Sequence, residues 1–284
     1  MPDVNKASGL LFFLISASSP GYNPLMPKTN EHPAGAFCWV ELATSDQAGA
    51  KTFYSSLFGW APVDFPMGPD EYYTMFKRNG NEAGAYTMRA AERQAAPPHW
   101  NLYIAVDSAD DSAKRAGELG GKVIAPAFDV MTFGRMAVIQ DPTGAAFCIW
   151  QSKDHAGATV AGENGTLCWA DLSTADSKRA RQFYEGLFGW KIGPVENYPP
   201  DYLLIRNGKA LIGGIQPSSY RNPNAPPHWM LFFLMSDVDG AAAKAKELGG
   251  AQLVPPMSMG SARLSVLADP QGAAFSIIRP PAQS

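Results

Sequence analysis

Two segments decide the fold, CWVEL at residues 38–42 and FYSSLFGW at 53–60, and both return as CWADL at 168–172 and FYEGLFGW at 183–190. The offset is about 130 residues, which is far longer than a solenoid repeat and indicates a duplicated domain. Shorter matches keep the same spacing: PPHW at 97–100 and 226–229, LGG at 119–121 and 248–250, and GAAF at 144–147 and 272–275. The chain is therefore predicted to hold two domains descended from one.

Composition narrows the class of partner. A chain of 284 residues with 46% hydrophobic residues can bury two ordinary cores. A net charge of -3 argues against nucleic acid or an anionic membrane as partner, because both require a basic field. Three cysteines, Cys38, Cys148 and Cys168, are too few for a disulfide framework, so reduced thiols in a cytoplasmic protein are expected. A small-molecule ligand is the predicted partner.

The predicted boundaries follow the repeats. Residues 1–32 are expected to be a disordered extension, or a start codon placed too early with Met26 as the true beginning. Its apolar run, Leu10 to Ile15, is too short for a signal peptide, and Asp3 cancels Lys6. The domains are predicted at 33–153 and 165–281, joined by a flexible linker at 154–164 that is rich in Gly, Ala and Thr.

Local patterns predict the elements of each repeat. Alternation puts Trp39 and Glu41 on one side of a first strand and Cys38 and Val40 on the other. Ser45-Asp46 starts a helix that Gly59 ends. Hairpin turns are predicted at Arg78-Asn79-Gly80, Arg206-Asn207-Gly208, Asp141-Pro142-Thr143-Gly144 and Asp269-Pro270-Gln271-Gly272. The pattern gives an α+β fold in which each domain is a pair of βαβββ modules, with curved mixed sheets, helices on the outer face and a hollow on the other.

The helix end Phe-Tyr-x-x-Leu-Phe-Gly-Trp, the Gly-Gly after the second helix and the Asp-Pro-x-Gly hairpin occur in both repeats. In these features the chain resembles the vicinal oxygen chelate superfamily, which includes glyoxalase I, extradiol dioxygenases and bleomycin-resistance proteins. It is most similar to a two-domain bacterial branch that is often labelled glyoxalase or hydroxylase. The resemblance implies two tandem glyoxalase-like domains and a divalent metal held by His, Gln or Glu.

The ligand positions that the resemblance implies carry other residues here. Tryptophan replaces the usual His at Trp39 and Trp169, and the closing strands carry Cys148 and Ser276 instead of Glu. The remaining positions are Asn101, Met230, Gln216 and the region of Thr87-Met88. Because Trp and Met offer no useful hard donor, the metal site is predicted to be lost and no cofactor is expected. A divalent metal on a rearranged set, such as His99, Glu41 and Cys148, is the alternative.

Strand parity leaves polar groups on the predicted cavity faces. Glu41 with His99, and Asp171 with His228, are candidate acid-base pairs, because burial and mutual charge shift such groups toward neutral pKa values. Structural hydrogen bonding is the competing interpretation. The predicted ligand-lining residues are Trp39, Asn101, Cys148, Trp169, Gln216, Met230 and Ser276. Trp60, Trp100, Trp190 and Trp229 are assigned to the core, and His32 and His155 to flanking segments without a role.

Three functions stay open from the sequence. The leading hypothesis is metal-independent handling of a small, partly aromatic or hydrophobic molecule, by sequestration or by modest acid-base chemistry. The second is a metal-dependent glyoxalase-like lyase or dioxygenase. The third is a non-catalytic assembly module, with a homodimer formed through sheet edges. Arg135 and Arg263 are a matched pair that either hold an anionic substrate or cap the sheet edge.

Overall fold

The computed structural model describes residues 31–68, 71–87, 97–194 and 201–280. The predicted N-terminal extension falls almost entirely outside the described residues. Within them, the first repeat forms eight strands and two helices: β1 (Phe37–Ala43), α1 (Gln47–Phe58), β2 (Ala61–Gly68), β3 (Glu71–Arg78), β4 (Asn81–Thr87), β5 (His99–Ala105), α2 (Ala109–Glu118), β6 (Lys122–Val130), β7 (Gly134–Gln140) and β8 (Ala146–Ser152).

The second repeat forms the same series within the described part of the chain. Its elements are β9 (Leu167–Ser173), α3 (Ser177–Phe188), β10 (Lys191–Gly193), β11 (Leu203–Asn207), β12 (Ala210–Ile215), β13 (His228–Leu234), α4 (Val238–Glu247), β14 (Ala251–Met259), β15 (Ala262–Ala268) and β16 (Ala274–Arg279). Each repeat is thus a pair of βαβββ modules, which confirms the predicted fold class. No helix in the described ranges is long and apolar enough to cross a membrane.

Each repeat builds one eight-stranded mixed sheet in the described residues. The orders are β2-β3-β4-β1-β5-β8-β7-β6 and β10-β11-β12-β9-β13-β16-β15-β14. The two modules of a repeat meet at the antiparallel central pair, β1 with β5 or β9 with β13, and the last strand of each module lies parallel to its first. The first strands of both modules therefore run side by side through the middle of the sheet.

Capping fixes the first helix of each repeat. The Asp46 side chain accepts from the backbone N–H of Gly49 at 2.9 Å, and Gly59 ends α1 in the left-handed conformation with φ 68°. Asp176 and Gly189 do the same for α3. Between the caps, Phe53 and Tyr54 occupy the buried face of α1, as the helical spacing predicted.

The helices lie on the face of each sheet opposite the hollow, as predicted, and these helix-bearing faces of the two sheets pack against each other, so one side of each helix is buried while the other side stays exposed. The α1 helix contacts α4, and α2 contacts α3. The Tyr54 hydroxyl donates to Asp269 at 2.9 Å, and the Tyr184 hydroxyl donates to Asp141 at 3.0 Å, each reaching into the other domain's hairpin turn. The four tryptophans assigned to the core are all buried in this region: Trp60, Trp100, Trp190 and Trp229.

A β-bulge corrects the predicted strand parity. Phe37 pairs with Ile104 and Trp39 with Tyr103, so Cys38 is the extra residue. Cys38 consequently joins Trp39 in the cluster on the outward face instead of pointing into the core with Val40. The second repeat has the same irregularity at Cys168.

The two predicted Asn-Gly turns differ. In the first repeat Asn79 and Gly80 both have positive φ (50° and 81°) between the paired residues Arg78 and Asn81, as expected. In the second repeat Asn207 still belongs to β11 and pairs with Ala210, so the turn residues are Gly208 and Lys209. The predicted turn is therefore displaced by one residue.

Candidate functional site

The outward face of each sheet carries its own apolar cluster, and we call these faces hollow 1 and hollow 2. The floor of hollow 1 is formed by buried side chains of β1, β5 and β8, with walls from β3, β6 and β7. The floor residues are Cys38, Trp39, Tyr103, Ala105, Cys148 and Trp150; the wall residues are Tyr73, Met75, Val130, Met136 and Val138. Most of these side chains are aromatic or aliphatic, so polar groups on this face stand out.

One row of paired residues crosses hollow 1 at the level of Glu41. Glu41 pairs with Asn101 of β5 on one side and with position 85 of β4 on the other, and position 85 also pairs with Met75. Met75 in turn pairs with Val63 of β2. Directly paired residues share a face of the sheet. We call this line, from Val63 through Met75 and Glu41 to Asn101, the Glu41 row.

Trp39 occupies the position where the family resemblance implies a metal-binding His. Its indole N–H donates to the Tyr73 hydroxyl at 3.2 Å. The His155 ring stands edge-on to its indole with ring centroids 4.9 Å apart. Trp39 is therefore enclosed from both sides and only 4% exposed.

The segment 153–160, which we call the strap, closes this end of hollow 1. The backbone N–H of Ala158 donates to the Cys38 carbonyl at 2.7 Å, and the N–H of Glu82 donates to the Thr159 hydroxyl at 2.8 Å. His155 forms an ion pair with Glu82 at 3.1 Å, which lowers the pKa of Glu82. The expected flexible linker is thus bonded to the first domain over most of its length, and His155 has a structural role that the sequence did not reveal.

Gly157 explains how the strap lies so close to the bulge. Its φ is +127°, and a Cβ at this position would lie 2.3 Å from the Cys38 carbonyl oxygen. Only glycine combines this conformation with this approach. The residue type that suggested flexibility in the sequence therefore serves close packing in the structure.

The histidines of the predicted acid-base pairs lie at the strand starts. His99 pairs with Ala43 and His228 with Ser173. In each histidine, Nδ1 lies 2.8 Å from the carbonyl oxygen of the proline two residues earlier, Pro97 or Pro226. The residue that the register puts directly opposite Glu41 is Asn101, so His99 is its diagonal neighbour. The acid-base role of these pairs stays a prediction.

Hollow 2 holds a closed polar cluster at the matching level. Asp171 Oδ1 accepts from the Tyr202 hydroxyl at 2.7 Å and from the Trp169 indole N–H at 2.8 Å. Burial raises the pKa of Asp171 to about 6, while the bonds from Tyr202, Trp169 and the Gly214 backbone oppose that rise. The pKa of this carboxyl group is therefore closer to neutral pH than that of an ordinary aspartate.

Gly214 makes room for this cluster. A Cβ built at Gly214 would lie 2.2 Å from the Tyr202 hydroxyl oxygen and 2.8 Å from Asp171 Oδ1. The Tyr202 ring is therefore seated where any larger residue at this position would stand. In the first repeat the corresponding position in the register is Ala85.

The remaining predicted ligand-lining residues of hollow 2 are mostly apolar or buried. Met230 pairs with Asp171 and packs against the cluster of hollow 2. Gln216 lies just beyond β12, with its backbone N–H bonded to the Leu172 carbonyl at 3.1 Å. Ser276 is fully buried, and its hydroxyl finds no hydrogen-bond partner among the described residues.

The cysteines and the paired arginines have structural surroundings. All three cysteines are buried and none forms a disulfide, and burial raises the pKa of the Cys38 and Cys168 thiols. Such thiols are poor nucleophiles because the reactive thiolate is disfavoured. Arg135 and Arg263 bond the carboxylates of Asp110 and Asp239 on α2 and α4, which favours the sheet-edge interpretation over anion binding.

The residues at the implied metal positions do not fit a divalent metal. Among the described residues, no group of three or more His, Cys, Asp and Glu side chains is placed to hold an ion. The Trp39 and Trp169 indoles are donors already engaged with Tyr73 and Tyr202. Met88, part of the fourth predicted position, lies outside the described residues.

Sequence reasoning missed Tyr73 and Tyr202. Both stand at the start of the third strand of their repeat and contact the tryptophan of the first strand. A tyrosine shortly before the Arg-Asn-Gly motif in each repeat was the available signal.

Family models match both repeats. Residues 36–149 match the Glyoxalase/Bleomycin resistance protein/Dioxygenase superfamily, and residues 169–278 match the Glyoxalase-like domain. Among solved structures, the Mn(II)-bound glyoxalase from Novosphingobium aromaticivorans is similar, with a TM-score of 0.60 and 19% identity over 86% of this chain and 82% of that one. That likeness concerns the fold.

Relatives align along nearly the whole described chain. CFP32 of Mycobacterium tuberculosis, named as a candidate glyoxylase, is 41% identical over 91% of this chain and 100% of its own length. The anthracycline biosynthesis protein DnrV of Streptomyces peucetius is 31% identical over 86% of this chain and 93% of its own length. The duplicated βαβββ pairs, the two family matches and these relatives together establish that the chain belongs to the Glyoxalase/Bleomycin resistance protein/Dioxygenase superfamily.

Proposed function

We propose that hollow 1 binds a small, largely apolar molecule that carries a hydroxyl group, without a metal at the usual family position. The observation that carries this proposal is the Glu41 row. In that row a carboxylate only 6% exposed lies opposite the Asn101 amide and in line with Met75 and Val63.

The donor and acceptor types of the row define the polar end of the ligand. A carboxylate offers about four acceptor positions on two oxygens, so Glu41 has capacity for a ligand hydroxyl beside its protein contacts. Asn101 adds a donor and an acceptor one strand away. The same carboxylate is suited to take up the hydroxyl proton in a modest acid-base reaction, with His99 diagonally adjacent.

The apolar end of the ligand follows from the walls. Tyr73 and Met75 offer an aromatic face and a polarizable thioether beside Glu41, and such surfaces favour flat aromatic molecules. The name of DnrV as an anthracycline biosynthesis protein supports an aromatic ligand. Binding without turnover, as in sequestration, and binding with weak catalysis share this site.

Titration calorimetry with 2-naphthol tests the proposal. We expect saturable binding that Glu41→Gln weakens about tenfold or more, because a hydrogen bond to a charged acceptor contributes about 1.5–3 kcal/mol. Asn101→Ala should weaken binding less. Asp171→Asn in hollow 2 is the matched control and should leave the affinity unchanged. Equal affinity of the wild type and Glu41→Gln would overturn the proposal.

Elemental analysis tests the metal-independent part separately. Protein purified without chelator is incubated with Mn²⁺, Fe²⁺, Ni²⁺ or Zn²⁺ and then desalted. We expect no retention, since the donors at the implied positions are unsuitable. Retention near one ion per chain, abolished in Glu41→Gln or His99→Ala, would favour the metal-dependent lyase or dioxygenase instead.

A further inference from the structure

The β2–β3 hairpin exposes four large apolar side chains, and Ile124, Met131 and Phe133 around β6 and β7 are exposed to a similar degree. Val63, Phe65, Met67 and Tyr72 are 36%, 41%, 47% and 44% exposed, and all lie between residues 61 and 78. Among the described residues of the second domain, Leu253 is the one large apolar side chain of comparable exposure. Clustered apolar exposure of this kind marks a binding surface more often than isolated exposed residues do.

The register shows which of these side chains face hollow 1. Val63 pairs with Met75 and Phe65 pairs with Tyr73, and both partners belong to the hollow-1 cluster. The residue between them, Asp64, faces the opposite way, since its carboxylate bonds Lys51 of α1 at 2.7 Å. Val63, at the end of the Glu41 row, and its neighbour Phe65 therefore extend the wall of hollow 1 beyond Met75 and Tyr73, whereas Tyr72 lies on the other face of β3.

The hairpin is poorly suited to a protein partner. The edge strand β2 contains two prolines, Pro62 and Pro66. Proline lacks the backbone N–H that the addition of a further strand needs. The four exposed side chains present roughly 300 Å² over both faces of the hairpin, taking about 150–250 Å² for each large side chain. A stable interface needs about 800 Å² from each partner. The patch is the size of a small-molecule contact.

We propose that Val63 and Phe65 form an apolar clamp for the far end of a planar ligand with three or more fused rings, whose hydroxyl end lies at Glu41. This inference rests on the proposed function of hollow 1. Three strand steps, from β1 to β2, separate Glu41 from Val63, or about 14 Å at about 4.8 Å a step. A one-ring or two-ring molecule held at Glu41 ends at Met75, while a third ring reaches the clamp.

In the second domain, the described part of the edge strand offers no counterpart to Val63. Its edge strand β10 has three residues, and the position that matches Val63 in the register is Gly193, which pairs with Leu204. A Cβ at Gly193 would meet no atom within 4 Å. The clamp is therefore proposed for hollow 1, where both Val63 and Phe65 lie among the described residues.

A ring series tests the clamp. Phenol, 2-naphthol and 2-hydroxyanthracene are titrated into the wild type, Phe65→Ala and the double variant Val63→Ala/Phe65→Ala. In the wild type we expect each added ring to tighten binding. In Phe65→Ala, the gain from the third ring should fall about tenfold, as expected for the loss of a buried aromatic contact, while 2-naphthol binding stays unchanged. Tyr72→Ala, with equal exposure on the opposite face, is the matched control.

The outcomes separate the two proposals. If 2-naphthol binds in a Glu41-dependent way but Phe65→Ala leaves the three-ring gain intact, the clamp is wrong and the proposed function stands. If none of the three probes binds, both the proposed function and the clamp are wrong. Sedimentation velocity of the wild type and Phe65→Ala gives the third outcome. If the wild type is a dimer and Phe65→Ala is a monomer, the patch binds a second copy of the chain and the clamp is wrong.

Discussion

The two hollows belong to duplicated domains, but the residues of the Glu41 row differ from their counterparts in hollow 2 at all four positions. In hollow 1 the row runs Val63, Met75, Glu41 and Asn101; in hollow 2 it runs Gly193, Leu204, Asp171 and Met230. Asp171 is one methylene shorter than Glu41, and Tyr202 bonds to it over Gly214. Hollow 2 thus bonds its carboxyl group to a tyrosine of its own domain, and hollow 1 places its carboxyl group in a row with the apolar side chains of Met75 and Val63.

This difference shows that two copies of a duplicated site can diverge through the residues packed around the first strand, while the first strand itself changes little. CWVEL and CWADL are almost the same segment. The change lies in the neighbouring strand β12, where Gly214 leaves room for the Tyr202 ring. Four predictions break or sharpen the comparison, beginning with the largest expected effect.

Gly214→Ala should destabilise the protein most. The new methyl group would stand 2.2 Å from the Tyr202 hydroxyl oxygen, and overpacking of this kind costs about 3 kcal/mol or more where the ring cannot yield. Urea unfolding measures the loss. Gly193→Ala, which meets no atom within 4 Å, is the control and should change stability by less than about 0.5 kcal/mol. Similar losses of stability in both variants would mean that the Tyr202 hydroxyl does not lie against Gly214.

Asp171→Asn should change how stability depends on pH. The folded pKa of Asp171, about 6, lies above the ordinary aspartate value of 3.8, so the folded state binds the proton more tightly. The contribution of Asp171 is therefore fully present below pH 3.8 and is lost as the pH rises through 6, a change on the order of 3 kcal/mol. Unfolding curves of the wild type and the variant between pH 4 and 7 should diverge in that direction; parallel curves would contradict it.

The two tyrosine hydroxyls should contribute unequally. Tyr202→Phe removes a donor to a buried carboxyl group and should cost about 2 kcal/mol, whereas Tyr73→Phe removes the acceptor of a neutral indole and should cost about 1 kcal/mol. Chemical denaturation of both variants gives the comparison. A larger loss of stability in Tyr73→Phe than in Tyr202→Phe would mean that the Tyr73 hydroxyl makes the stronger hydrogen bond, contrary to this prediction.

The strap ion pair should show the smallest effect. His155 and Glu82 are partly exposed, with 18% and 25% of their side-chain surfaces accessible, so their coupling should be about 1 kcal/mol or less. A double-mutant cycle with His155→Ala and Glu82→Ala isolates it. Coupling well above that value would mean that the strap, rather than Trp39 packing, holds this end of hollow 1 closed.

Much of the fold could be predicted because it rests on local signals that occur twice. Asp46 and Gly59 cap α1 as expected, and the same residue types cap α3. The pairing of modules followed from these repeats. The placement of Trp39 and Glu41 on one outward face followed from strand period alone, and the register agrees with it.

The misses share a physical cause, which is contact between residues distant in the sequence. The bulge at Cys38 shifts one residue without changing composition. The strap looks flexible as a string of small residues, yet Ala158 bonds Cys38 across 120 positions of chain. Tyr202 could be related to Asp171 only once Gly214 was known to pair beside it. Local patterns carry none of this information.

The crossed tyrosines have a consequence for the evolution and handling of the chain. Tyr54 ends in the hairpin turn of the second half, and Tyr184 ends in that of the first, so each half completes the other's interior. A gene split inside the segment 161–166 should therefore give two fragments that aggregate when expressed alone and reassemble when expressed together. The two halves therefore stabilise each other across their shared interior in the way that the two subunits of a dimer do, although they belong to one chain.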